Sequence, residues 1–497
     1  MIGRPGWPGA GRVGAAFGLG AVMATGQAPL GFWGMALAAL VGITALIADA
    51  PGPRPAAWLG LSAGAGYFAL ALSWIVSPFL IDAARYGWMA PFAVLLMAVG
   101  LALFWAAAAA LSALATTARR RALAFALALT LAELARGTVL TGFPWALIGH
   151  IWIDTPLAQL AAVIGPNGLT LLTTLVAALP VALRWRGLAL SAALLATTAG
   201  FGMMRLAQPD PAARAITLRL VQPNAAQHLK WEPTQAQQNF DRLLAYTAAK
   251  PAPDLVIWPE TSVPYLLEPG AGAALAIAAA SDATPVVVGI QRVDGWRAFN
   301  SMAVIGPGGE VTALYDKHHL VPFGEYVPFG DTMADLFGLT AFAAQQGNGY
   351  SSGPGAVVLD LGPLLGRVLP LICYEAVFPQ DLRAAPQRAD WILQITNDAW
   401  FGTLTGPYQH LAQARLRAIE QGLPLVRVAN TGVSAVIDAR GRITAQIPLG
   451  QAAWLDAALP PILAAPPYAR WGEVPLLLLL AGLCLPLVLR RRSTPRA

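Results

Sequence analysis

Along the first two hundred residues the hydrophobic positions do not alternate with polar ones but come in unbroken runs. Seven of them, at residues 13–25, 30–47, 57–77, 89–116, 122–140, 158–183 and 187–204, and an eighth at 474–489, approach or exceed the roughly 20 helical residues that cross a hydrocarbon core. The first is short and glycine-rich and follows Arg4 and Arg12, as the apolar part of a signal peptide would. No small-residue cleavage site follows it, so it reads as a retained helix. From Ile216 the texture changes to short β-rich stretches: ITLRLVQPN, DLVIWPE, TPVVVGI, FNSMAVIGPGG, RVLPLICYE, DWILQITND and LVRVANTGVSAVIDARGRI. Residues 234–249 and 409–421 carry an amphipathic helical period, alanine-rich 271–280 reads as another helix, and 306–309 and 439–441 read as hairpin turns. Strands alternating with helices predict a layered α/β domain. The predicted division is a seven-helix membrane bundle at 1–206, the layered domain at 207–470, and a last membrane helix with a basic tail at 471–497.

Composition agrees with a chain that lives partly in lipid. Of 497 residues 56% are hydrophobic and 12% charged, too apolar for an ordinary soluble protein. A net charge of +6 would admit a nucleic-acid partner, but the basic residues fall in short clusters between apolar runs rather than along one face, which points to membrane topology instead. Arg4 and Arg12, Arg54, Arg119 to Arg121, Arg184 and Arg186, and Arg490 to Arg492 occupy every second connection. Held inside, they leave the Arg85 loop, residues 141–156 and the whole layered domain outside. Eight crossings then put both termini in the cytoplasm. The outer segment GFPWALIGHIW, residues 142–152, reads as an interfacial belt, with the lining of a lipid-facing cleft as its functional alternative. Glu133 and Arg136, near the end of the fifth run, are expected to snorkel to the interface.

Candidate chemistry sits at three predicted strand ends. Cys373 follows the apolar run 368–372, Glu260 follows LVIWP and Lys317 follows VTALYD. Alone, Cys373 reads equally as a small buried hydrophobe, Glu260 as a helix-start carboxylate and Lys317 as a solvated turn residue. Together they form a set for acyl transfer through a thioester: a thiol nucleophile, a carboxylate to take its proton, and an ammonium to receive the developing oxyanion. The one other cysteine, Cys484, lies in an apolar run, which argues against a disulfide framework or a cysteine zinc site. His318, His319 and His410 have no third partner at ligand spacing, so no metal and no cofactor are expected.

WPET at 258–261, DKHHLVPFGEYVPF at 316–329, ICYE at 372–375 and TNDAWFG at 396–402 resemble the bacterial apolipoprotein N-acyltransferases. That resemblance covers the whole chain. It implies a bundle of eight transmembrane helices joined to a nitrilase-like αββα sandwich, in the inner membrane, with the sandwich in the periplasm. It makes Glu260 the general base, Lys317 the oxyanion-stabilising residue and Cys373 the nucleophile, with Glu325 a second active-site carboxylate. Tyr374 and Glu375 would shape the pocket beside the nucleophile. Trp231 matches a family tryptophan but reads equally as an ordinary aromatic contact, and Asn397 and Asp398 are expected to stabilise loops near the site. The implied reaction moves an acyl chain from a membrane phospholipid to Cys373 and then to the N-terminal α-amino group of a diacylated apolipoprotein. A hydrophobic cleft between domain and bundle is expected, with substrate-admitting loops near 323–339 or 341–352. The enzymatic rival is a membrane-tethered amidase acting on a small amide, which would need one crossing; a transporter or inactive lipoprotein-binding scaffold would not need all three residues.

Overall fold

The computed structural model describes residues 9–212, 214–268, 270, 272–327 and 349–489. Arg4, the arginines at 490–492 and most of the two expected loops lie outside them.

Each of the eight apolar runs is a helix: α1 (Ala10–Ala24), α2 (Trp33–Ala48), α3 (Pro53–Ala71), α4 (Ala90–Ser112), α5 (Ala118–Arg136), α6 (Ala161–Leu183), α7 (Trp185–Leu206) and, after the layered domain, a final helix Val474–Leu489. Small residues let the first helices approach closely. A methyl group added at Gly66 of α3 would collide with the Phe17 carbonyl of α1, the kind of contact by which helices pack in lipid. Among the described residues three helical stretches are long and apolar enough to cross a membrane, Ala83–Ser112, Pro156–Leu183 and Trp185–Leu206, or four if α3 and Ser73–Phe79, bent by 58°, make one broken span.

Two expectations for the bundle are corrected. Glu133 and Arg136 do not snorkel: both side chains are fully buried, and Arg136 Nη2 lies 2.6 Å from Glu133 Oε2. The reason is that residues 142–152 fold back over the end of α5. Arg136 donates to the carbonyl oxygens of Phe143 and Trp145, and Trp105 Nε1 donates to Glu133 Oε1 at 2.8 Å, so the buried charges are paired and hydrogen-bonded as burial requires. The same segment is not an interfacial belt. Trp145 and Trp152 are both buried; their indole N–H groups donate to Gln409 Oε1 at 2.7 Å and to Thr173 Oγ1 at 2.8 Å.

Among the described residues the layered domain has two six-stranded sheets. Its strands are β1 (Thr217–Gln222), β2 (Leu255–Ile257), β3 (Val286–Asp294), β4 (Arg297–Ile305), β5 (Val311–Asp316), β6 (Leu359–Asp360), β7 (Arg367–Ile372), β8 (Trp391–Thr396), β9 (Leu425–Ala429), β10 (Ser434–Ile437), β11 (Ile443–Ile447) and β12 (Ala453–Ala458). The orders are β12-β1-β2-β3-β4-β5 and β11-β10-β9-β8-β7-β6, with β1, β2 and β3 parallel in one and β7, β8 and β9 parallel in the other. Alternation along the strands divides the core in the way a period of two requires. Leu218, Leu220, Leu255 and Ile257 face the second sheet's Val368, Ile372, Leu393 and Ile395. Val221, Val256, Val286 and Val288 pack outward under α8 (Pro233–Thr247) and α9 (Gly272–Ser281). Leu369, Leu371, Ile392 and Leu425 pack outward under α10 (Gly406–Gln421). The result is an αββα sandwich, and the parallel strands of both sheets end at one edge. The C-terminal helix Val474–Leu489 is α11.

Candidate active site

That edge gathers the predicted residues, because Glu260 follows β2, Lys317 follows β5, Cys373 follows β7 and Asn397 follows β8. Strand ends are where an α/β layer leaves room for a ligand. Cys373 opens a short turn, Cys373–Val377, with φ of +52°, a left-handed conformation that strains a residue bearing a Cβ and recurs at functional sites. The turn carries the thiol out of the sheet. Its carbonyl oxygen is fixed from behind by Gln394 Nε2 at 3.1 Å, with His410 Nε2 at 3.0 Å.

The charged groups form one buried chain. Glu260 Oε1 accepts from Asn300 Nδ2 at 2.7 Å and lies 3.6 Å from Lys317 Nζ, while its Oε2 accepts from the Asn397 backbone N–H at 2.8 Å. Lys317 Nζ donates to Glu325 Oε1 at 2.9 Å, and Glu325 also accepts from Asn300 Nδ2 at 3.1 Å and from the Val321 N–H at 2.9 Å. Burial alone would lower the Lys317 ammonium pKa, but Glu325, Glu260 and Cys373 outweigh it and raise it, so this cation is permanent. Burial, then the Glu260 carboxylate, pushes the Cys373 thiol up, and Lys317 opposes them without reversing the direction. A nucleophile at this position would start as a protonated thiol and need a base in reach.

Glu375 has a different position from its neighbours. It is fully buried and absent from the cavity wall; its Oε1 accepts from Tyr315 Oη at 2.7 Å and from the His318 and His319 N–H groups at 2.9 and 3.2 Å, and its Oε2 from the Ile372 N–H at 2.7 Å. It ties the lysine segment to the turn that opens on Cys373. Asp398, also fully buried, binds Arg427 and lies 2.9 Å from His410 Nδ1. Asn397 holds Gln227 Oε1 at 2.7 Å and accepts from Asn430 Nδ2 at 3.0 Å. Among the described residues no three histidine, cysteine or acidic side chains form a group that could hold a metal.

A cavity of about 560 Å³ opens above Cys373, within the range of small-molecule sites. Glu260, Lys317, Glu325, Tyr374, Trp231 and Asn397 reach it from the sandwich; Trp74, Met97, Leu101, Phe104 and Arg136 reach it from the bundle. The expected cleft between the two is present, with Gly142 and Phe143 in its wall. Reasoning from sequence missed Asn300, which joins the two carboxylates, because it stands mid-strand in FNSMAVI with nothing local to mark it. Lys230 was missed too, although it adjoins Trp231.

Residues 217–463 match the carbon-nitrogen hydrolase family, and residues 19–179 match the apolipoprotein N-acyltransferase N-terminal domain. The apolipoprotein N-acyltransferase of Rhodopseudomonas palustris is 40% identical over 469 residues, 89% of this chain and 87% of that one. That of Bradyrhizobium diazoefficiens is 40% identical over 467 residues, 88% and 86% of the two chains. A solved CN-hydrolase superfamily protein from Xanthomonas campestris is 22% identical and covers 57% of this chain and 99% of that one, with a TM-score of 0.36.

Proposed function

This chain belongs to the apolipoprotein N-acyltransferase family, and on that premise we propose which of its residues carry each step of the acyl transfer. As Cys373 Sγ attacks the ester carbonyl of a membrane phospholipid, Glu260 takes the thiol proton. The carbonyl oxygen becomes an oxyanion beside Lys317 Nζ, whose charge Glu325 holds in place. The carbon–oxygen ester bond breaks, Glu260 returns the proton to the departing lysophospholipid alkoxide, and an S-acyl Cys373 remains. The N-terminal α-amino group of a diacylated apolipoprotein then attacks the thioester. Glu260 takes a proton from the nitrogen, the carbon–sulfur bond breaks, and the thiolate recovers that proton as the amide is completed. Tyr374 and Trp231 shape the cleft; Asn397 aims Glu260 and Glu375 braces the nucleophile turn. The single observation that supports this reading is the buried chain Glu260–Asn300–Glu325–Lys317 on the floor of a cleft that also contains Cys373 and is roofed by the bundle.

The family reading extends to topology: a bundle at 1–206 and a last helix within 471–497 giving eight crossings, both termini in the cytoplasm, and a periplasmic domain at 207–470 of an inner-membrane protein. The apolar roof supports it, since both substrates are lipid-anchored and would reach the cleft from the bilayer. The decisive assay supplies phospholipid and a diacylated lipopeptide. Wild type forms N-acylated product and an acyl adduct on Cys373 visible by mass spectrometry; Cys373→Ala forms neither. Equal product from both proteins would end the proposal.

A further inference from the structure

Among the described residues three cations line the cavity, and two have a carboxylate of their own. Arg136 has Glu133 at 2.6 Å and Lys317 has Glu325 at 2.9 Å. The third, Lys230, is 6% exposed and lies within 4 Å of no carboxylate among the described residues. Its Nζ donates to Thr261 Oγ1 at 3.0 Å and, at 3.4 Å, to the Glu260 carbonyl oxygen, and it stands 5.3 Å from the centre of the Trp231 ring. Those are neutral partners for a buried charge, which is costly to leave uncompensated. The cost shows in the group itself: burial, opposed by Glu260, brings the ammonium pKa down to about 8. Its anchor is strained as well. Thr261 has φ of +44°, a genuine outlier for a β-branched side chain, of the kind that persists where the surroundings hold it. Lys230, Trp231 and Thr261 share the cavity wall with Cys373 and Glu260.

We propose that Lys230 binds the phosphodiester anion of the phospholipid donor, completing the coordination of the ammonium and holding the glycerol so that its acyl ester stands over Cys373. The inference rests on the donor assigned above and adds where its charge is read. A neutral diacylglycerol carries the same esters without the anion, so the pair of donors isolates the contact. The measurement is Cys373 thioacylation, by intact-protein mass, with phosphatidylglycerol or diacylglycerol of identical chains in the same mixed micelles and no acceptor present. Wild type prefers the phospholipid. In Lys230→Met the phospholipid-to-diacylglycerol rate ratio falls about ten- to a hundredfold, the range for a lost charge-assisted hydrogen bond, and Lys230→Arg recovers most of it. An unchanged ratio in Lys230→Met overturns the proposal, as does an unchanged ratio accompanied by slower transfer of a preformed thioacyl group to lipopeptide, which would place Lys230 on the acceptor. Diacylglycerol thioacylation reports in the same preparation whether the variant site is intact; if Lys230→Met proves unfolded, Lys230→Gln carries the comparison. Wild type that takes no acyl group from phospholipid would refute the donor assignment itself, a result separable from any effect of the variants.

Discussion

A thiol attacks only after it gives up its proton, and burial makes that harder for Cys373. Its pKa is raised by burial and by the Glu260 carboxylate, so the thiolate becomes populated at higher pH than for an ordinary cysteine. On the proposed mechanism the site would hold no standing thiolate at neutral pH, and the proton would leave during attack. Iodoacetamide labelling of Cys373, followed by peptide mass spectrometry, therefore accelerates steadily as pH rises through the ordinary thiol value of 9.0; a plateau below it would mean a preformed thiolate. Glu375 makes the opposite case, a charged residue in the motif that is aimed away from the chemistry. Glu375→Ala leaves three backbone N–H groups without their acceptor, while the Tyr315 hydroxyl keeps His318 Nδ1 at 2.7 Å. Each orphaned buried donor costs about 1–3 kcal/mol, so the variant is expected to lose on the order of 3–5 kcal/mol, read as a lower thermal midpoint in detergent before any assay of turnover. The tetrapeptide ICYE marked the place of both residues. It could not say which faces the substrate, because that depends on a φ of +52° at Cys373 that no residue type announces.

Elements meet behind Cys373 through one carboxylate. Asp398 at the end of β8 joins Arg427 of β9 and His410 of α10. Burial would raise its pKa, but Arg427 and then His410 bring it down to about 2 from 3.8. An acid whose folded pKa is depressed stabilises the fold above its unfolded value and loses that contribution as pH falls through the folded one. Stability on the order of 2 kcal/mol is thus expected above pH 4 and lost on acidification from there toward pH 2. In Asp398→Asn, denaturant titrations in detergent show this part of the acid sensitivity gone. Elements of this kind were legible wherever a run or an alternation carried its own signal, as in the eight apolar runs and in β1, β3 and β8. β12 was not, since AWLDAA alternates weakly and becomes a strand by pairing with β1, Thr217 opposite Ala458. Glu133 and Arg136 misled for a related reason: a run read by itself faces lipid, and the fold-back of residues 142–152 that buries the pair is a tertiary event.

At the scale of the whole molecule the question is how a thioester avoids water long enough to meet an amine. Water admitted to the cleft would hydrolyse such an intermediate; here the bundle roofs the cleft. Met97, Leu101 and Phe104 stand on one face of α4, spaced by four and three residues, and all three reach the cavity. Trp74 packs at a tilt against Trp145, 4.6 Å between ring centroids, and Phe401 of the sandwich meets Trp74 edge-on at 4.9 Å, so the roof is continuous with the sandwich. This wall is where an acyl chain would lie while its ester is attacked. Leu101 is half-buried on it, and a bulkier side chain there fills the cavity from the membrane side. Leu101→Trp is accordingly expected to fold, to slow thioacylation by long-chain phospholipids about tenfold, an energy of the size carried by one or two displaced methylene contacts, and to slow short-chain donors much less. Rates measured across a series of donor chain lengths make the comparison. A uniform loss along the series would mean that α4 merely supports the site, whereas a loss that grows with chain length identifies the bundle as the acyl-binding wall.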